Sequence, residues 1–411
     1  MNRLPLATPR YSVIQAFYWA SYCMTFGFAS VYLLSEGYNN SEIGMLLAAI
    51  NILAVFLQPL MAAFVDKSSR ISLKDFIAII LGSVFVFSLL IWMTSGSKYL
   101  TMVLIALAFG ILISTQPLIN AICFRYEQMG IKINYGVARG IGSGAYALTS
   151  FGLGNLIEKF DASFLPIYYM GTVTILIGLI YTYAPKNEKG EVVTARTAGL
   201  LDGELDKVEV EALSMKAFIK KYRAFSAFIL GCAFVFFPHS LINNFMIQVM
   251  HEIGGGSAQM GTAIFIAAGL EIPVMFLFTR IQKSVDCSCL LKLTAVVFTI
   301  KHLLTYMAGS VAMFYMAQIL QIVGFGLFMP AAVYFVDQVI DFDDLVKGQA
   351  MITGAMTLGS TAASMVGGIL LDVVGVKEML LLGGAVSVIG TLMMILALGK
   401  IEVPLKKPDI V

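Results

Sequence analysis

Charge is what this 411-residue chain has least of: Asp, Glu, Lys and Arg make up 13% of it, against 59% hydrophobic residues. A water-soluble fold of this length could not hide so much apolar surface, so the solvent must be a bilayer. The few charges nearly cancel, leaving +2, which removes the electrostatic reason for a nucleic-acid partner. Cysteine is scarce too. Cys23, Cys123 and Cys232 fall inside apolar runs, and Cys287 and Cys289 lie in a short connection. Neither a disulfide framework nor a metal-ligand spacing follows, and the Cys-x-Cys pair reads as two reduced thiols. A His-rich metal motif, a nucleophile elbow and a phosphate loop are all lacking, so the reading is of a non-enzyme without cofactor or metal. A repeated selectivity-filter segment, which a channel would need, is lacking as well.

What the chain does have is long apolar runs. At 1.5 Å per residue, about 20 residues cross the roughly 30 Å of hydrocarbon. Runs of that length are expected at 11–34, 42–65, 76–95, 99–124, 135–157 and 162–184, then at 224–248, 258–281, 288–308, 311–336, 349–371 and 378–399. The first is too long for a signal-peptide core and reads as a span. The pattern predicts an all-α integral membrane protein with twelve transmembrane helices in two six-helix bundles, 1–184 and 224–411. A polar cytoplasmic linker, 185–223, would join them and carry an amphipathic surface helix near Lys207–Tyr222.

Lys and Arg set the orientation. With both termini in the cytoplasm, outer connections keep only Lys98, Lys159 and Lys377, and the spans hold Arg139 and Lys301. Every other basic residue falls inside. The chain is therefore expected in the cell membrane, multi-pass, with cytoplasmic termini.

Glu271 stands out within the eighth run, in Gly269-Leu270-Glu271-Ile272-Pro273. A charged group at mid-bilayer costs about 2.5–3.5 kcal/mol on insertion scales, so it reads first as a functional group facing a cavity. Pro273 frees the carbonyl of Gly269 and exposes backbone polarity nearby. Lys301, near the middle of the ninth run, is its natural counter-charge. The pair reads either as a proton-exchanging switch or as a structural ion pair. His302 follows Lys301 but points about 100° away, so both cannot face one cavity. Other polar residues recur on the first and fourth helices of each half: Gln15, Tyr18, Trp19 and Tyr22; Gln116 and Asn120; His239, Asn243 and Asn244; Gln318 and Gln321. Amides donate and accept without net charge, which suits sugar or nucleoside hydroxyls, and Trp19 could stack on a ring face. Taken singly, each could instead join helices to one another. The run Asp337, Asp341, Asp343 and Asp344 reads as a solvated helix end.

Specific strings add a resemblance. Gln58-Pro59-Leu60 with Asp66-Lys67, Tyr135-Gly136-Val137-Ala138-Arg139 with Gly142 and Tyr146, Leu345-Val346-Lys347-Gly348-Gln349-Ala350, and Gly368-Ile369-Leu370-Leu371-Asp372 together resemble the major facilitator superfamily. They are most similar to its lactose-permease-like oligosaccharide/proton symporters and to phenylpropionate- and nucleoside-type permeases. The resemblance implies two pseudo-symmetric six-helix bundles and transport by alternating access. It also implies a sugar-contacting role for Arg139 and a cytoplasmic gate at Asp66, Lys67 and Arg70. Departures from the symporter pattern are equally plain: Asn120 stands where those symporters carry a sugar-binding acid, and Gln321 and Gly324 where they carry a His and a Glu.

The expectation is thus proton-coupled uptake of a small hydroxylated solute by a monomer in the lipid bilayer. Glu271 and Lys301 would couple protons, and Trp19, Asn120, Arg139, Tyr146, His239, Asn243, Asn244 and Gln321 would meet substrate. An exporter or facilitator of aromatic acids is the rival.

Overall fold

The structure is a computed structural model that describes residues 7–67, 71–93, 97–128, 130–183 and 214–401. In a solvent that offers no hydrogen bonds, every backbone amide must be satisfied within its own segment, and helices result. Among the described residues there is no strand.

In chain order, α1 (Ala7–Tyr22) runs through a π turn (Cys23–Gly27) into α2 (Ala29–Ser35), followed by α3 (Asn40–Lys67) and α4 (Leu73–Met93). Next come α5 (Lys98–Ser114), α6 (Gln116–Gln128), α7 (Tyr135–Phe160) and α8 (Leu165–Thr182). After the linker lie α9 (Met215–Lys221), α10 (Arg223–Asn244), α11 (Met246–Glu252), α12 (Ser257–Ile281) and α13 (Cys287–Met307). The last are α14 (Val311–Ile319), α15 (Gln321–Val339), α16 (Leu345–Val373) and α17 (Val376–Leu398).

These segments follow the order of the twelve expected spans, and ten are by themselves long and apolar enough to cross a membrane. The two that fall short are the first and the fifth, α1 with α2 and α7. Both carry polar side chains along one face, and α1 packs along α7. The least apolar helices thus shelter one another's polar residues. Of the amphipathic helix expected in the linker, only the end, α9, lies within the described residues.

Contacts divide the described chain into two units. In the first, α1 packs on α7 and α8, and α4 on α5 and α8. In the second, α10 packs on α16 and α17, α13 on α15 and α17, and α12 on α15. Gly231 and Gly390 make the α10–α17 contact backbone-close: a Cβ on Gly231 would lie 3.0 Å from the carbonyl oxygen of Gly390. Such small residues set helix distance where lipid supplies no hydrophobic drive. The second unit also takes in Asn39–Gly44, the start of α3. There Asp372 accepts from the backbone N–H groups of Asn40 (3.2 Å) and Ser41 (2.7 Å) and from the Ser41 hydroxyl at 2.6 Å. A carboxylate so placed satisfies donors that a helix start leaves free.

Large apolar side chains also face outward, and a few polar ones lie inside. Leu60, Leu148 and Leu396 are each 65% exposed, whereas Lys301 is 1% and Gln318 0% exposed.

Candidate functional site

Four of the helical segments are interrupted, and each break adjoins polar residues flagged by the sequence. The π turn follows Tyr22. The α5–α6 break, at Thr115, precedes Gln116 and Asn120. The α10–α11 break, at Phe245, follows Asn243 and Asn244, and the α14–α15 break, at Leu320, sits between Gln318 and Gln321. Backbone bonding continues through the three single-residue breaks, as from Ile119 N–H to the Thr115 carbonyl (3.0 Å) and from Gly324 N–H to the Leu320 carbonyl (2.9 Å), so they are local bends, and π turns recur at functional positions.

In the first unit the polar cluster grows from α1. Gln15 Nε2 donates to the Tyr11 hydroxyl (2.7 Å) and to Asn120 Oδ1 (3.1 Å), while its Oε1 accepts from Trp19 Nε1 at 3.2 Å. Gln15 therefore fixes both Asn120 and the indole. Arg139 lies over that indole, its guanidinium carbon 3.9 Å from the ring centroid, and donates to Ser143 Oγ at 2.7 Å. A guanidinium stacked on an indole keeps its in-plane donors available for a ligand. Arg139 thus turns in toward α1 rather than out along the helix. The approach is close because residue 142 is glycine: a Cβ there would lie 2.5 Å from Trp19 Cδ1. Tyr146 stands edge-on to Trp19 at 6.4 Å between centroids, and Tyr22 stacks on Phe26 at 4.9 Å. All of these aromatics are half-buried. Phe26 and Ser143 escaped the sequence reading, although each sits four residues from a flagged residue, a spacing that places neighbours on one helix face.

In the second unit the charged residues meet through an amide. Gln321 Nε2 donates to Glu271 Oε1 at 2.9 Å, and Gln321 Oε1 accepts from Lys301 Nζ at 2.5 Å. Three helices contribute: α12 the acid, α13 the amine and α15 the amide between them. Gln321, expected to meet substrate, lies between Glu271 and Lys301 and is hydrogen-bonded to both. Asn243 Nδ2 contacts His239 Nε2 at 3.0 Å, and Asn244 Nδ2 donates to Ser364 Oγ on α16 at 2.9 Å. His302 Nδ1 contacts Ser387 Oγ on α17 at 2.8 Å.

Of the expected gate, the side chains of Asp66 and Lys67 and the whole of Arg70 lie outside the described residues. The acidic run at the end of α15 is not simply solvated. Lys221 reaches Asp341 Oδ2 (2.7 Å) and Asp344 Oδ2 (3.0 Å), and the Tyr222 hydroxyl donates to Asp344 Oδ2 at 3.2 Å. Asp344 is 2% exposed. Lys221 holds the Asp341 carboxyl below the usual Asp range, and the two carboxylates raise the Lys221 amine above the usual Lys range.

An all-α, lipid-solvated chain whose polar groups gather at breaks in its helices has the architecture of a secondary transporter. The model of the MFS_1 like family matches residues 9–382, and the chain belongs to that family, a group of major facilitator transporters. It is a multi-pass membrane transporter and not an enzyme. It is 25% identical to a maltose permease of Geobacillus stearothermophilus over 401 residues, covering 95% of each chain. It is 24% identical to the uncharacterized transporter YwbF of Bacillus subtilis (strain 168), covering 92% of this chain and 91% of that one. Among solved structures, the nucleoside transporter NupG aligns with a TM-score of 0.78 at 13% identity, over 98% of this chain and 100% of that one. A bacterial homologue of the human lysosomal transporter Spinster, inward-facing and unoccupied, aligns with a TM-score of 0.68 at 11% identity, over 97% and 98%. At these identities the structural likeness speaks to the fold alone.

Proposed function

We propose that this transporter takes up a small hydroxylated solute, an oligosaccharide or glycoside, together with a proton, as a monomer working by alternating access between two six-helix halves. The observation that carries the coupling is the chain Glu271–Gln321–Lys301. A carboxyl and an amine joined through a neutral amide can each change charge while Gln321 keeps a partner at both ends. In this reading Glu271 loads and releases the proton and Lys301 compensates its charge. Trp19, Asn120, Arg139, Tyr146, His239, Asn243 and Asn244 contact the solute. The 25% identity to a maltose permease supports the sugar class. Asp66, Lys67 and Arg70 gate the cytoplasmic side, and both termini lie in the cytoplasm of a cell-membrane protein.

The test is uptake into proteoliposomes with an imposed pH gradient. Glu271→Gln is expected to abolish accumulation while solute exchange persists. Unchanged pH-driven uptake removes Glu271 from the mechanism.

One observation favours a second reading, transport of aromatic acids. The guanidinium of Arg139 sits within a group of rings formed by Trp19, Tyr22, Phe26 and Tyr146, which suits a planar anion. Competition between maltose and phenylpropionate for uptake separates the two.

A further inference from the structure

His239 and His302 are both buried, 7% and 1% exposed, and their ring centroids lie 6.4 Å apart in the second unit. Each has one ring nitrogen without a hydrogen-bond partner, Nδ1 on His239 and Nε2 on His302. Around His239 the walls are aromatic: Phe325 is stacked on it at 5.6 Å, with Phe298 at 5.2 Å and Phe236 at 5.7 Å edge-on. Orphaned polar atoms in such surroundings call for an explanation, because an unmet donor or acceptor costs about 1–3 kcal/mol.

The surrounding contacts favour one nitrogen of each ring for the proton. From His302 a chain runs Nδ1 to Ser387 Oγ (2.8 Å), Ser387 Oγ to Thr299 Oγ1 (2.8 Å), Thr299 Oγ1 to Thr391 Oγ1 (2.7 Å) and Thr391 Oγ1 to the carbonyl oxygen of Ala295 (2.9 Å). The terminal carbonyl can only accept, and each hydroxyl has one hydrogen to give. Thr299 Oγ1 also lies 3.2 Å from the carbonyl oxygen of Ser387, so five contacts share three hydroxyl hydrogens, and the largest number is filled when Thr391 donates to Ala295, Ser387 to Thr299, Thr299 to Thr391 or to the Ser387 carbonyl, and His302 Nδ1–H to Ser387. His302 therefore keeps a bare lone pair on Nε2. On the other ring, with Asn243 Nδ2 as the donor, His239 Nε2 accepts at 3.0 Å, which places the proton on Nδ1. One imidazole offers an unused donor and the other an unused acceptor.

We propose that His239 and His302 form a clamp for a single hydroxyl group, which accepts from His239 Nδ1–H and donates to His302 Nε2. One oxygen forming two bonds of about 2.8 Å holds its partners about 4.6 Å apart, a span that rings at this separation can provide. A hydroxyl is the smallest group that accepts and donates at one atom. Two sources carry it, a water molecule and a hydroxyl of the transported solute. The solute source rests on the uptake reading; the donor and acceptor assignment does not.

The chain has three histidines, so His251→Gln leaves only this pair. The experiment is 15N magic-angle-spinning NMR of the His251→Gln protein, labelled at histidine and reconstituted in liposomes, without solute and with saturating maltose or uridine. The expected spectrum shows two neutral rings protonated at Nδ1, with the His302 Nε2 resonance displaced from a free lone pair. A displacement present before solute is added, and unmoved by it, assigns the hydroxyl to water; one that appears with solute assigns it to the solute. A proton on Nε2 of either ring, or a His302 Nε2 free in every sample, overturns the clamp. The variant His302→Asn retains a donor toward Ser387 but has no atom at the Nε2 position. With the solute source, the KM for uptake rises about tenfold, the loss of one hydrogen bond, while kcat stays within threefold. With the water source, KM holds. Should neither solute be transported, the spectra without solute still decide the clamp, separating its failure from that of the uptake reading.

Discussion

Glu271 and Lys301 communicate through one side chain: the amide of Gln321 gives a hydrogen bond to the acid and receives one from the amine. The two ends of an amide differ, one donating and one accepting, so the connection has a direction that a direct ion pair lacks. Gln321→Leu should therefore uncouple transport without abolishing solute binding. The expected result in proteoliposomes is a fall of at least about tenfold in pH-driven accumulation, the cost of a lost buried hydrogen bond. Solute exchange should stay within about threefold of the parent.

Removing one charge of the pair leaves the other buried without compensation, which typically costs about 3–5 kcal/mol. Glu271→Gln should accordingly lower the detergent-solubilised Tm by more than Lys301→Met, since the charge it leaves behind, Lys301, is 1% exposed, whereas Glu271 is only partly buried. The double variant should recover part of the loss, because a neutral interior replaces a lone charge. A double-variant Tm below both single variants would show that the two residues do not compensate one another.

The contact of Arg139 with Trp19 gives a spectroscopic handle. The chain has two tryptophans, so Trp92→Phe leaves Trp19 as sole reporter. Solute that draws the guanidinium from the indole should change its fluorescence. Gly142→Ala, which would place a Cβ 2.5 Å from Trp19 Cδ1, should displace the ring, shift the emission and weaken binding by about tenfold, the range for a misplaced cation–π and hydrogen-bonded group. An unshifted emission with full binding would place the substrate away from Trp19.

The sequence exposes some of this arrangement and conceals the rest for physical reasons. Glu271 and Lys301 are legible because a charge within an apolar run is costly and stands out. Arg139 and Gly142 are legible through a local string, and the geometry supplies the reason that glycine is there. The role of Gln321 is not legible, because it exists only once α12, α13 and α15 have packed. Nor are the breaks at Phe245 and Leu320, which occur at ordinary residues; at Thr115 the sequence does offer a mark, Pro117 two residues on. Hydropathy averages over such single-residue interruptions. The acidic run before α16 misleads for a related reason: its partner, Lys221, lies over a hundred residues earlier at the end of the linker.

That last contact yields a prediction about pH. Asp341 is held below its ordinary range, so its stabilising pairing is complete above the unfolded Asp value and is lost only as pH falls through the lower folded one. Lys221 is raised above its ordinary range, so its pairing is complete below the unfolded Lys value and is lost only as pH rises through the higher folded one. Between about pH 5 and 9, from the reference values of the two groups, the pairing of Lys221 with Asp341 is therefore constant. Any pH dependence of uptake in that window must arise elsewhere. Lys221→Met should lower thermal stability, because it leaves Asp344, 2% exposed, with the Tyr222 hydroxyl as its remaining partner among those described here. The same variant should leave the midpoint of the pH–uptake curve unmoved, whereas Glu271→Gln should flatten that curve. Parallel uptake measurements across the window compare them directly, and a midpoint that moves with Lys221→Met would locate the proton-sensitive step at the start of α16 instead of at Glu271.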